Sequence, residues 1–189
     1  MMSQSAGQPT PAVFTIGHST RSIEDFLELL HVNGVTCLLD VRTVPRSRHN
    51  PHFNRDTLPE PLLQAGIDYG HMPGLGGLRH ARPDSPNMGW RNTSFRGFAD
   101  YMQTPEFETG IETLIATATR KRTAIMCAEA VPWRCHRSLI ADALVVRGIP
   151  VEHIMTIKRT NPHVVTPFAK VHGTHITYPT ETGQQTLPP

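Results

Sequence analysis

Short apolar runs alternate with amphipathic stretches from residue 13 to residue 155, and most of the runs end on polar or turn-forming residues. Val13 to Gly17 (VFTIG) is an apolar run closed by glycine and predicts a buried strand. Ser22 is placed to cap a following helix, with Glu24 and Asp25 in its first turn and Asn33-Gly34 as its stop. Within it Ile23, Phe26, Leu27 and Leu30 fall on one face. Thr36 to Val41 (TCLLDV) predicts a second buried strand, and Ile67 to Met72 a weaker third. Between them a loop from about Thr43 to Asn54 leads into a helix around Leu58–Ala65, where Pro59 and Pro61 sit early enough to be tolerated. The residues from Pro73 to Thr93 are rich in Gly, Pro and Arg and predict a long loop without regular structure. Loops of that length inside a domain are usually functional or mobile. Helices are expected over Phe95–Met102 and Pro105–Thr119. A fourth strand over Thr123–Cys127 (TAIMC), a helix over Arg137–Arg147 stopped by Gly148, and a fifth strand over Val151–Met155 complete the pattern.

Apolar strands alternating with helices imply a parallel sheet covered on both faces. The expected fold is α/β: a single three-layer domain with a mostly parallel, doubly wound, Rossmann-like sheet of about five strands. Residues 1–11 are expected as a disordered lead, 12–155 as the α/β domain, and 156–189 as an extension packed on it or trailing from it. In such a sheet, ligands bind outside the carboxyl ends of the strands. If the first and fourth strands are neighbours, Gly17-His18-Ser19-Thr20 faces Cys127-Ala128-Glu129.

Composition refines this picture at three points. A chain of 189 residues suits one domain with a substantial core. The formal net charge of +2 is too small to mark a nucleic-acid protein. The charge is clustered, however: Arg42, Arg46, Arg48 and Arg55 lie with His49 and His52 in one expected loop, and Arg79, Arg82, Arg91 and Arg96 in another stretch. The cysteines Cys37, Cys127 and Cys135 are odd in number and make no disulfide framework. The opening residues lack the pattern of a secretory signal, and no apolar stretch approaches the roughly 20 residues that span a bilayer. A cytoplasmic location is expected, with no membrane partner.

The strand ends carry more chemistry than turns require. The first offers Gly17, His18, Ser19 and Thr20, where glycine permits a tight turn and the hydroxyls bond a ligand or cap a helix. His18 is either a satisfied core residue, a phosphate ligand or an acid–base group near neutral pH. The second offers Asp40 and Arg42, either a buried ion pair or a carboxylate that aims the arginine fork at an anion. Arg46, Arg48, His49 and Arg55 follow, as a solvated basic loop or as charge at the mouth of a site, and Ser47 among them is expected to bind substrate. The segment CAEAVPWRCHR after the fourth strand is the richest. Cys127 is a small hydrophobe or a nucleophile. Glu129 is a general acid or base, a nucleophile, or the ion-pair partner of Arg137. Trp133 stacks on a ring or anchors packing. Cys135 and His136 fall near a helix N-terminus, a position that acidifies thiols and attracts anions. Cys127, Cys135 and His136, with His18 or Glu129, are also soft metal ligands. Their spacing does not match the paired motifs of structural zinc sites, so no cofactor is expected and a divalent metal is a minor alternative.

TIGHST, LLDVRTVPRSRHNPHFN, the GFADYM–TPEF stretch and MCAEAVPWRCHRSLIADAL resemble the domain-of-unknown-function family 488, over roughly residues 13–155. The resemblance implies an α/β fold and carries over Gly17, His18, Ser19, Thr20, Asp40, Arg42, Pro45, Ser47, Cys127, Glu129, Cys135, His136 and Arg137. It implies no activity. Asp40-Val41-Arg42, with a cysteine ending a later strand, is also similar to rhodanese-like sulfurtransferases. The loop after Cys127 departs from that pattern, having Pro132 and Trp133 and no glycine.

Three functions fit these residues. The first is an enzyme acting on a phosphate-bearing substrate, a nucleotide or nucleic acid, by glycosyl-bond or phosphoester chemistry. In it Glu129 or His18 moves a proton or attacks, Cys127 lines the pocket or acts as nucleophile, and Arg42, Arg46 and Arg137 hold the charge. The second is a non-catalytic nucleic-acid-binding module that stacks bases on Trp90, Phe95 and Trp133. The third is a thiol-based redox or sulfur-transfer protein using Cys127 and Cys135.

Overall fold

The computed structural model describes residues 12–180. Strand β1 (Val13–Gly17) is buried along its whole length. Helix α1 (Ile23–Val32) begins where its cap dictates: the Ser22 side chain accepts from the Asp25 backbone N–H, and Glu24 and Asp25 face the positive end of the helix dipole. Then come β2 (Cys37–Asp40), the short helix α2 (Pro59–Gln64), β3 (Asp68–His71), α3 (Thr93–Tyr101) and α4 (Pro105–Ala118). The chain continues through β4 (Thr123–Cys127), α5 (Arg137–Val145), β5 (Val151–Thr156) and β6 (Arg159–Pro162), and β7 (Lys170–His172) and β8 (His175–Thr177) form a separate hairpin.

The sheet order is β3-β2-β4-β1-β5-β6. All pairings are parallel except that of β6, which adds antiparallel to β5 at the edge. The fold is therefore the expected α/β architecture, with one strand more than expected. Strand β6 reads RTNP, with neither an apolar run nor alternation to announce it.

Side-chain alternation along the strands divides the core into two layers. Phe14, Ile16, Leu38, Ala124 and Met126 pack with Phe26, Leu29 and Leu30 of α1 and Leu62 of α2. On the other face Val13, Leu39, Ile125 and Cys127 pack with Phe98 of α3, Ile111 of α4 and Leu139 of α5. The chain leaving β1 thus covers one face and the chain leaving β4 covers the other. Their diverging paths open a crevice at the carboxyl ends of these neighbouring strands.

Two stretches, the expected long loop and the expected C-terminal extension, are more ordered than their composition suggests. The stretch after β3 starts with a 3-10 turn over Pro73–Leu75. It is tied down by the buried carboxylate of Asp100, which accepts from the backbone N–H of Arg82, the hydroxyl of Ser85 and the amide of Asn87. After β6, Ile176 and Tyr178 are buried, and Tyr178 donates its hydroxyl to Asp142 at 2.8 Å. This segment covers the outer side of α5, so that helix is buried from Arg137 to Leu144 instead of presenting a polar face. The lead expected over residues 1–11 and the end of the expected C-terminal extension lie outside the described residues. Among the described residues no helix is long and apolar enough to cross a membrane.

Candidate functional site

The register of β1 against β4 places Gly17 beside Cys127. Pairing continues past the strand ends: the backbone N–H of His18 donates to Cys127 O and that of Ser19 to Ala128 O, both at 2.9 Å. GHST and CAE are therefore one joined surface. Gly17 has no alternative there, because a Cβ would sit 1.8 Å from the carbonyl oxygen of Glu129. Ser19 turns the chain away with a φ of 50°, rare for a residue other than glycine. The loop after Cys127 is held from below by Arg137, whose guanidinium donates to Glu129 O at 2.6 Å and to the Thr15 hydroxyl at 3.2 Å.

From β2, Asp40 and Arg42 form a buried bidentate pair, with Nε to Oδ1 at 2.9 Å and Nη2 to Oδ2 at 2.6 Å. Tyr69 donates to the same carboxylate, and Arg42 also donates to Phe53 O. The remaining nitrogen, Nη1, lies 3.1 Å from His18 Nε2. This contact fixes the state of His18. Its Nδ1 lies 2.8 Å from Ser19 O, an acceptor only, so Nδ1 carries the proton and Nε2 accepts from Arg42. The ring stacks on Phe53 at 4.4 Å between centroids. Burial lowers its pKa to about 4, with the Arg42 charge acting in the same direction. His18 is a neutral strut between backbone and guanidinium.

The third cluster is Cys127, Cys135 and His136. The two Sγ atoms and one imidazole nitrogen all lie within 4.8 Å of one another, and Cys135 Sγ is 3.6 Å from His136 Nδ1. His136 Nε2 is 3.1 Å from Val41 O. A carbonyl only accepts, so Nε2 carries a proton, and in the neutral ring Nδ1 turns its lone pair to the sulfurs. A Cβ on Gly77 would fall 2.5 Å from that Nδ1, so glycine is what lets the loop after β3 lie against the ring. Of the two thiols Cys135 is the more acidic. The hydrogen bond from Cys127 favours its thiolate most, the Arg137 charge adds to this, and burial opposes it. The same bond, together with burial, pushes Cys127 up.

These elements enclose a cavity of about 730 Å³. Of the residues expected at the site, His18, Ser19, Thr20, Arg42, Arg46, Ser47, Cys127, Glu129, Cys135 and His136 line it. Gly17, Asp40 and Arg137 lie beneath it as supports, all three buried. Arg137 is only 1% exposed and engages the Glu129 backbone, not its carboxylate. Trp133 is exposed and outside the lining, while Trp90 packs against Phe95, Phe168 and Tyr178. Thr43, Asn50, Asn92, Ser94 and Arg134 also line the cavity. The sequence held one signal for this wall: the adjacent glycines Gly76 and Gly77, where a Cβ would meet Thr43 and His136.

A family model described as "Domain of unknown function DUF488" matches residues 22–144, a span that runs from α1 through Asp40, Cys127 and His136 into α5. The chain belongs to the DUF488 family. No curated protein and no solved structure matches it. The DUF488 span contains every element of the crevice except β1 and the GHST turn, which immediately precede it.

Proposed function

We propose that this DUF488 protein is an enzyme acting on a phosphate-bearing substrate, a nucleotide or nucleic acid, in the cavity at the carboxyl ends of β1, β2 and β4. The observation that carries this reading is the charge of the lining: three arginines, Arg42, Arg46 and Arg134, converge on a space whose one carboxylate is Glu129. Arg42 is rigid and partly neutralised by Asp40. Arg46 and Arg134 are exposed and free to close on an anion. Val44 and Leu78 add an apolar wall suited to a ring, being 62% and 73% exposed. Because both nitrogens of His18 are engaged, acid–base work falls to Glu129, whose side chain is exposed in the cavity.

The test is a thermal-shift screen with nucleoside mono-, di- and triphosphates, sugar phosphates, and short DNA and RNA. Binding to the native state raises the melting temperature by mass action. A hit is expected, and R46A and R134A should each weaken it about tenfold, the worth of one charge-assisted hydrogen bond. E129Q should keep that binding and abolish turnover of the substrate class found. Binding indifferent to both arginines would place the anion elsewhere.

One observation favours a second reading. Trp133 is 63% exposed beside Arg134, a stacking platform next to a cation. In a nucleic-acid-binding module, affinity for a short single strand falls steeply with salt and drops in W133A. Salt-independent binding would end that reading.

A further inference from the structure

We propose that Cys127, Cys135 and His136 form a site for one thiophilic divalent cation of the zinc class, with its fourth position open to the cavity. The inference stands apart from the anion reading, since metal content is measured without any substrate.

The donor set is two sulfurs and one imidazole nitrogen within 4.8 Å of one another. For bonds of about 2.3 Å to sulfur and about 2.05 Å to nitrogen, a tetrahedral centre has an S···N edge of about 3.6 Å and an S···S edge of about 3.8 Å. The Cys135 Sγ to His136 Nδ1 separation is already 3.6 Å. No separation in the cluster needs to close by more than about an ångström to meet these edges.

The surroundings support the set as metal ligands. His136 donates Nε2–H to Val41 O, and a ligating histidine almost always anchors its other nitrogen in this way. In the neutral ring this anchor leaves Nδ1 as the ligating nitrogen beside the sulfurs, and Gly77 lets the loop after β3 lie against the ring. The three donors are also held before any ion arrives. Cys127 ends the central strand β4, Cys135 and His136 follow a 3-10 turn at Pro132–Arg134, and Arg137 ties the loop between them, at Glu129 O, to Thr15 of β1. All three side chains line the cavity, which leaves the fourth position for water or a substrate oxygen. Three protein ligands and one exchangeable position describe a catalytic zinc site, not a structural one. Sequence spacing hides this set, because Cys135 and His136 are adjacent and Cys127 is eight residues away on the strand.

The test uses the full chain, reduced with a phosphine so that no added thiol competes for metal. It is loaded with Co²⁺ or Zn²⁺, desalted and assayed for metal by mass spectrometry. One ion per chain is expected. The cobalt form should show sulfur-to-cobalt charge transfer and intense tetrahedral ligand-field bands, both erased by Zn²⁺. C135S and H136A should weaken binding at least 100-fold while C37S binds as wild type, with circular dichroism and melting curves confirming that the variants fold. Retention of less than a tenth of an equivalent by the reduced wild type would overturn the site, as would a cobalt spectrum without sulfur-to-metal charge transfer. Neither result depends on any variant folding. Full metal binding by folded C135S would also overturn it, as would a thiol count showing that Cys127 and Cys135 had joined as a disulfide despite the reductant.

Discussion

At the scale of single residues, the supports beneath the cavity are as constrained as its lining. Arg137 is the largest fully buried side chain among the described residues, and its guanidinium bridges Thr15 of β1 and the Glu129 carbonyl of the loop after β4. Truncation would leave the Glu129 carbonyl without this donor, and Thr15 with His153 alone, around a void. R137A should therefore lose about 3 kcal/mol or more of stability, read from the urea midpoint. A loss below about 1 kcal/mol would mean that the loop is held by other contacts. Gly17→Ala meets the Glu129 carbonyl directly and should cost about 1–3 kcal/mol, together with any ligand affinity of the cavity, because the loop itself must shift. The Asp40–Arg42 pair was legible in the sequence as one of two readings, and its geometry serves both. The pair is buried and saturated on one side, and it presents Arg42 to the cavity on the other. For His18 the residue type showed only that it titrates near neutrality. That both of its nitrogens are occupied depends on Arg42 and on a backbone turn, which local sequence does not encode.

At the scale of elements, two helix–sheet layers were readable because apolar runs of five and helical faces of four are strong signals. The five parallel strands fall within a residue or so of their expected bounds. The segments that were not readable are held by buried polar groups whose partners are distant in sequence: Asp100 for the long loop, and Asp142 for the C-terminal segment. Asp142 also terminates a chain of hydrogen bonds. It accepts from His163 Nε2 at 2.8 Å, His163 Nδ1 lies 3.0 Å from His153 Nε2, and His153 Nδ1 lies 2.7 Å from the Thr15 hydroxyl. Burial, then the neighbouring His163 and Arg137, lower the pKa of His153 to about 4, with Asp142 opposing. His18, facing Arg42, Asp40 and His52, is lowered likewise. A histidine depressed from 6.5 to about 4 on folding binds its proton more tightly when unfolded. Its stabilising contribution is whole above pH 6.5 and declines as pH falls towards 4. Melting temperature should drop through that window, and the imidazole resonances of His18 and His153 should titrate near 4. Titration of these two rings at 6.5 would contradict the lowering by burial.

At the scale of the whole molecule, the segment after β5 is part of the packing of the protein and not an ornament. It supplies β6, covers α5, and places Tyr178 between Asp142 and the backbone contact of its own N–H with Asn87. Y178F removes one buried hydrogen bond and should cost about 1 kcal/mol. Deletion from residue 164 onward strips the outer cover of α5 and should abolish the cooperative thermal transition. A deletion variant that melts like the full chain would show that α5 needs no such cover.

The pairing of Gly17 with Cys127 has a further consequence, for how this chain can change over generations. Because side chains on a strand alternate, Met126 belongs to the layer of α1 and Cys127 to the layer of α5. One codon gained or lost within β4 would turn the thiol through the sheet, out of reach of Cys135 and His136. Point substitutions can drift along β4, but the number of residues in it is a counted quantity. A lineage that keeps Cys127 in use must conserve the length of that strand before it conserves its letters.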